Sequence, residues 1–212
     1  MKIKLLCFIG LLVLFFANIK KSSFDDDFSH LLKSFTQCDK TFFLDLNQKK
    51  YHNYFPIITL PTGYSKFATI SNNNSVKNKL IFDPPIIFNG LKIESFEQSE
   101  YITNEHLKFY FWGFSTDNTF EEIKSALSWV DWQISVDGTL DFANASFYKN
   151  GVWSDNKHVL TDTSPERGTA ENLLFLEYDN DRLSGKAIIQ CTIQGDIPEK
   201  ELWRFRPDLW SF

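Results

Sequence analysis

The chain has 212 residues, of which 22 are basic, 27 are acidic and 17% are aromatic. The acidic balance argues against a nucleic acid or an anionic lipid surface as partner, because both require a basic face, and the aromatic content excludes low-complexity disorder. An acidic surface fits a basic protein partner, and solubility alone also accounts for it.

The first predicted element is a secretory signal peptide, residues 1–22. Lys2 and Lys4 give it a basic start, and the fifteen residues Leu5–Ile19 carry no charge, which is the pattern of an export signal. This apolar run is shorter than the roughly 20 residues of a bilayer-spanning helix. We therefore expect cleavage, at a point the sequence leaves open, and a periplasmic or secreted protein. An uncleaved anchor is the alternative, and contact with a membrane is expected only through this segment.

The remainder, residues 23–212, is expected to form a single domain, because its length suits one hydrophobic core and no repeat or linker divides it. Two cysteines, Cys38 and Cys191, remain after export. In an oxidising compartment such a pair predicts a disulfide, which would join the first element of the domain to its last strand. Two buried free thiols are the alternative.

The first part of the domain is predicted to begin with a helix and to continue with short strands. Asp25–Gln37 combines acidic residues at its start, where they favour the helix dipole, with apolar residues at helical spacing. Thr41–Leu46, Tyr54–Leu60 and Gly63–Ile70 are rich in apolar, β-branched or aromatic residues, which predicts strands. Prolines within and after the second of these indicate an edge strand.

Three glycine-containing dipeptides predict tight turns. Asn89–Gly90 lies between two apolar runs, which is the preferred sequence of a two-residue hairpin. Asp137–Gly138 and Asn150–Gly151 bracket a strand-like run. Residues 132–154 are therefore predicted to form an antiparallel meander.

The second half is predicted to contain a central strand, one helix and two further strands. Leu107–Phe114 is apolar or aromatic on both faces, as expected for a strand in the middle of a covered sheet. The helix Phe120–Val130 follows a capping-box sequence, Thr119–Glu122, and the strands are Asn172–Tyr178 and Lys186–Gln194. The predicted fold class is therefore α+β, a largely antiparallel β-sheet with about two helices.

No motif of established chemistry occurs in the chain. A glycine-rich phosphate loop, a dinucleotide-binding fingerprint, paired histidines at metal spacing and a Cys-x-x-Cys sequence are all absent. We therefore expect neither a cofactor nor a metal and assign no catalytic residue. The C-terminal segment Leu202–Phe212 is rich in tryptophan, arginine and phenylalanine, and either docks onto the domain or forms an exposed recognition tail.

The most site-like segment is Trp153–Glu171, which lacks apolar periodicity. A loop of this length in a compact domain is often functional. Aromatic and arginine side chains dominate binding hot spots, which favours a binding role over a catalytic one. The candidate binding residues are Trp153, Asp155, His158, Asp162, Glu166, Arg167 and Glu171.

These observations favour an exported, non-enzymatic binding protein that binds another protein, for example an immunity or inhibitor protein that masks a toxin. One alternative is a hydrolase of envelope polymers that uses carboxylates or His158 of the 153–171 segment as acid–base groups. A structural component of the cell envelope is a third hypothesis, which depends on the uncleaved anchor.

Overall fold

The structure is a computed structural model that describes residues 24–71, 77–103, 107–134, 140–156, 165–178 and 186–210. The signal peptide lies outside these ranges and stays a prediction. The helices are α1 (residues 24–35), α2 (Thr41–Asp45), α3 (Phe120–Ala126) and α4 (Glu199–Leu202), with 3-10 helices at Tyr51–Asn53 and Pro207–Leu209. The strands are β1 (Ile57–Thr59), β2 (Ser65–Phe67), β3 (Ile70–Ser71), β4 (Lys77–Phe88), β5 (Leu91–Ile102), β6 (Lys108–Thr116), β7 (Gln133–Ile134), β8 (Asp141–Lys149), β9 (Val152–Asp155), β10 (Thr169–Tyr178) and β11 (Ala187–Gly195).

Strands β3 to β11 form one nine-stranded sheet in the order β3-β4-β5-β6-β11-β10-β8-β7, and β9 also pairs with β8. Every pairing in it is antiparallel. Strands β1 and β2 form a separate two-stranded sheet. The predicted fold class, α+β with a largely antiparallel sheet, is confirmed. Within the described ranges, no helix has both the length and the apolar character needed to cross a bilayer.

The main core lies between the sheet and helices α1 and α2. Phe35 of α1 stands 4.9 Å from Phe114 of β6, and Phe42 of α2 stands 6.0 Å from Phe96 of β5, measured between ring centroids. Fully burying one such ring contributes roughly 1.5–3 kcal/mol. We call this helix-covered side the inner face and the other side the outer face, where a smaller cluster forms around Phe175.

Helix α1 confirms the prediction made for Asp25–Gln37, whereas the strand predicted over Thr41–Leu46 is wrong, because Thr41–Asp45 is helical. The Asp39 carboxylate accepts hydrogen bonds from the Thr41 N–H, at 2.8 Å, and from its hydroxyl, and so fixes the first turn of α2. The helix then buries Phe42 and Phe43 in the core. Tertiary packing overrides the weak β propensity of such a short apolar run.

The two predicted Asn–Gly hairpins are confirmed. Asn89 and Gly90 have φ of 46° and 85°, and Asn150 and Gly151 have φ of 54° and 84°, as a type I′ turn requires. The meander differs from the prediction, because β10 occupies one edge of β8 while β7 and β9 share the other. Asp137–Gly138 lies outside the described residues.

The predicted central strand is confirmed as β6, which pairs with β5 and β11. Gly113 is required there, because a Cβ atom at this position would stand 2.3 Å from the Ile189 carbonyl oxygen of β11. The capping box also forms: the Thr119 hydroxyl accepts from the Glu122 N–H at 3.3 Å, and the Glu122 carboxylate accepts from the Thr119 N–H at 2.9 Å. Both strands predicted late in the chain are present as β10 and β11.

The predicted disulfide between Cys38 and Cys191 is present, with the two Cα atoms 5.3 Å apart. It joins the turn after α1 to the buried strand β11. Both cysteines are fully buried. Because the bridge closes a loop of 153 residues, the chain-entropy treatment gives it roughly 5 kcal/mol of stabilisation.

The described part of the C-terminal segment docks onto the domain. Phe205 to Asp208 are buried, and the Lys40 N–H donates to the Arg204 carbonyl at 3.0 Å. Of the two possibilities open from the sequence, docking is therefore the one observed for residues 202–210.

Candidate functional site

A groove of about 670 Å³ opens on the inner face, beside the disulfide. Three residues on adjacent strands form a row on its floor. Asp155 of β9 pairs with Ser146 of β8, and Ser146 pairs on its other side with Asn172 of β10. The volume falls within the range of ordinary ligand sites. The sheet therefore supplies a rigid base for a polar groove.

Three segments from distant parts of the sequence form the walls of this groove. The turn of residues 37–40 after α1 supplies one wall, and Asp131 with Gln133 supplies another. Arg204 and Phe205, which follow α4, complete the third. The disulfide and the docked C-terminal segment hold these wall segments against the sheet, and so form the groove.

A β-bulge in β8 positions the first wall, the turn of residues 37–40, against the sheet. The register between β8 and β10 shifts between Asn172 and Leu174, so Asn144, with φ of 52°, is displaced from the regular strand. Its amide nitrogen donates to the Thr36 carbonyl at 2.8 Å. With its side-chain amide turned to the orientation that satisfies its neighbours, the Asn172 nitrogen donates to the Cys38 carbonyl at 3.2 Å. Two side-chain hydrogen bonds and the disulfide thus hold the turn after α1 in place.

Trp153 is held at the groove by one hydrogen bond and two aromatic contacts. Its indole N–H donates to the Glu201 carboxylate at 2.9 Å. The ring packs against Tyr148, with centroids 5.3 Å apart, and against Phe205, with centroids 4.8 Å apart. Trp153 is half-buried and lines the groove. Because its rotamer is already set, Trp153 would lose little conformational entropy when a ligand binds.

The groove carries an excess of negative charge. Arg204 is neutralised by Glu201, 3.3 Å away, which leaves the carboxylates of Asp39, Asp131 and Asp155 against the single cation of Lys40. Within the described part of the chain, no ion pair or side-chain hydrogen bond joins Asp131 or Asp155 to another residue. No group of three or more metal-ligating side chains occurs among the described residues either.

The structure separates the candidate residues of the 153–171 segment. Trp153 and Asp155 line the groove and belong to strand β9. Glu171 points to the outer face, where its carboxylate accepts hydrogen bonds from the amides of Asn156 and Gln194, each at 3.2 Å. Glu166 and Arg167 lie exposed in the turn before β10. His158 and Asp162 lie outside the described residues.

Several groove residues were not predicted from the sequence as a site: the turn of residues 37–40, Asp131, Gln133, Arg204 and Phe205. Two signals pointed towards part of this set. The predicted disulfide implied that the neighbours of Cys38 would lie beside the last strand. The C-terminal segment, which is rich in tryptophan, arginine and phenylalanine, contains Arg204 and Phe205. Nothing in the sequence pattern marked Asp131 or Gln133.

A second cavity, of about 340 Å³, lies on the outer face beside Glu97 and Phe111. Burial alone would raise the pKa of the Glu97 carboxyl, but its hydrogen bond with Lys79, at 2.6 Å, and the nearby Lys77 lower it overall. The Glu97 carboxylate is therefore already neutralised. The inner groove, with two carboxylates open to a ligand, is the better candidate site.

Comparisons of the chain with protein families, with curated proteins and with solved structures found no match. The fold and the groove together define an α+β protein with one large antiparallel sheet, a small two-stranded sheet and a polar groove. The chemistry of that groove is accordingly the basis from which a function is inferred.

Proposed function

We propose that this protein is an exported, non-enzymatic binding protein that holds a segment of another protein in the inner groove. The observation that carries the proposal is the fixed indole of Trp153, which lines a preformed groove beside the carboxylate of Asp155. Aromatic anchors in preformed pockets are typical of binding hot spots. The amide, hydroxyl and carboxylate groups around it offer hydrogen bonds to a polypeptide.

Binding has more support than hydrolysis. An acid and a base that act on one substrate must both lie within hydrogen-bond reach of it. Asp155 lines the groove, whereas Glu171 lies on the outer face and is engaged by two amides. Asp155 and Glu171, two of the carboxylates in the hydrolase hypothesis, therefore lie on opposite faces of the sheet and would not act on the same substrate.

The disulfide supports the proposal that the protein meets its partner outside the cytosol. Disulfides persist in oxidising compartments, and the Cys38–Cys191 bridge holds one wall of the groove. An exported toxin is the kind of protein that such a binding protein would mask. Mass spectrometry of the protein recovered from the periplasm or medium tests this step. We expect loss of about the first 22 residues, and an intact N-terminus in the cytosolic fraction would contradict it.

Site-specific photocrosslinking tests the binding proposal. The full chain is produced in its own host with a benzophenone amino acid at Gln133 or at Ser146 in the groove. Ile87, which is 59% exposed on strand β4, serves as the matched control on the far side of the sheet. We expect a covalent adduct with one protein from both groove positions and none from the control.

The same adduct should be lost when Trp153→Ala is combined with the crosslinker at Gln133. An adduct of equal yield at Ile87, or one that survives the Trp153 change, would show that the groove is not the binding site. Absence of any protein adduct from the groove positions would overturn the proposal.

A further inference from the structure

We propose that the groove binds an arginine side chain of the partner protein, with its guanidinium stacked on Trp153 and bonded to the Asp155 carboxylate. The inference rests on the proposed function, because it assigns the chemistry of the segment bound in the same groove. It follows from the position of these two residues on one strand.

Trp153 and Asp155 are adjacent on the same face of β9. Side chains two residues apart in a strand point the same way and lie about 6.5 Å apart along it, and both of these line the groove. The register confirms the spacing, since Trp153 lies opposite Tyr148 and Asp155 lies opposite Ser146. The groove therefore presents an aromatic ring and a carboxylate side by side.

A guanidinium group matches this pair of surfaces. It is planar, always charged and able to donate two parallel hydrogen bonds to a carboxylate. Its flat face also stacks on an indole ring, which attracts a cation through the ring quadrupole. A lysine ammonium could satisfy the charge but would lack the two-point bond. A neutral sugar could stack on the ring but would not use the charge.

The surrounding charges favour a cation at this place. Asp131 lies two residues before Gln133, which pairs with Phe142 of β8, while Asp155 pairs with Ser146 of the same strand. The two carboxylates thus flank the bulged stretch of β8 from opposite ends of one edge. No cation of the described residues pairs with either of them. A cation bound there would be attracted by both carboxylates.

Peptide binding followed by NMR tests the inference. The probe is an acetylated and amidated pentapeptide with a central arginine flanked by glycine and serine. A second peptide carries citrulline, which keeps the shape of arginine without its charge, and a third carries lysine. We expect the arginine peptide to shift the backbone resonances of groove residues, with at least fivefold weaker binding for lysine and no saturable binding for citrulline.

Variants of the protein locate the effect. Asp155→Asn and Trp153→Phe should each weaken binding of the arginine peptide at least fivefold, with the folded state checked by urea unfolding. Asp26→Asn removes the same charge from an exposed position on α1 and should leave the affinity unchanged. Equal binding of the citrulline peptide, or an Asp155→Asn protein that binds as well as the wild type, would overturn the inference.

Chitotetraose is the competing ligand. If this neutral oligosaccharide shifts the groove resonances and the arginine peptide does not, the groove takes sugars and the inference is wrong. If photocrosslinking finds a protein in the groove while the arginine peptide fails to bind, the proposed function stands and the arginine inference alone falls. If no protein adduct forms, both fall.

Discussion

Arg206 and Asp208 form a two-point ion pair inside the protein. The guanidinium Nε and Nη2 each donate to one carboxylate oxygen at 2.8 Å, and the two side chains are only 2% and 1% exposed. The guanidinium carbon also lies 5.0 Å from the Trp112 ring centroid. Since Arg204 and Phe205 immediately precede this pair, the same contact that docks the C-terminal segment also sets one wall of the groove.

Removal of one partner of this pair should destabilise the protein strongly. Asp208→Asn leaves the charge of Arg206 buried without its counterion, which typically costs about 3–5 kcal/mol. The free energy of unfolding in urea measures the effect. The double variant Arg206→Met with Asp208→Leu removes both charges and should recover most of the loss. A single variant as stable as the wild type would show that the pair is not buried in solution.

The disulfide should contribute both stability and groove shape. Cys38→Ala with Cys191→Ala is expected to lower the free energy of unfolding by roughly 5 kcal/mol, because the unfolded chain regains the entropy of a 153-residue loop. Denaturant unfolding of oxidised wild type, reduced wild type and the double variant measures this. The two forms without the bridge should agree with each other, and unfolding that is insensitive to reductant would contradict the prediction.

Short sequence patterns predicted the turns and most of the strands, whereas the groove is formed by residues that are far apart in the sequence. Asn89–Gly90 sets its turn through its own backbone preferences, so the hairpin followed from two residues. Helix α2 depends on burial of Phe42 against Phe96, a partner that lies far along the chain and that no short window contains. Asp131 and Asp155 come together only because β7 and β9 share one edge of β8. Of the residues predicted as a site, Trp153 and Asp155 line the groove, because strand β9 carries both of them there.

The capping box of α3 should give a modest and specific effect. Thr119→Ala removes the hydroxyl that accepts from the Glu122 N–H, and loss of an N-cap side chain typically lowers stability by about 1 kcal/mol. Thr119→Ser keeps the oxygen and should behave like the wild type. Urea unfolding of the three proteins measures the difference. Equal stability of the alanine and serine variants would show that the cap does not contribute.

Glu94 should make stability depend on pH in the acid range. Its carboxylate accepts hydrogen bonds from Lys186 at 2.7 Å and from Lys92 at 2.9 Å, and these lower its pKa from 4.5 to about 2. A folded-state pKa below the unfolded one means that the contribution is complete above pH 4.5 and is lost as the pH falls towards 2. After allowance for solvent screening, we expect it to reach about 1 kcal/mol.

Glu94→Gln isolates this contribution. The variant should be less stable than the wild type at pH 7, and most of the difference should be lost by about pH 2, where the Glu94 carboxyl of the folded protein is about half protonated. Added salt at pH 7 should reduce the difference as well, because both lysine side chains are 44% exposed. Unfolding free energies measured in urea at each pH decide the matter. A difference that stays constant from pH 7 to pH 2 would assign the effect to packing rather than to charge.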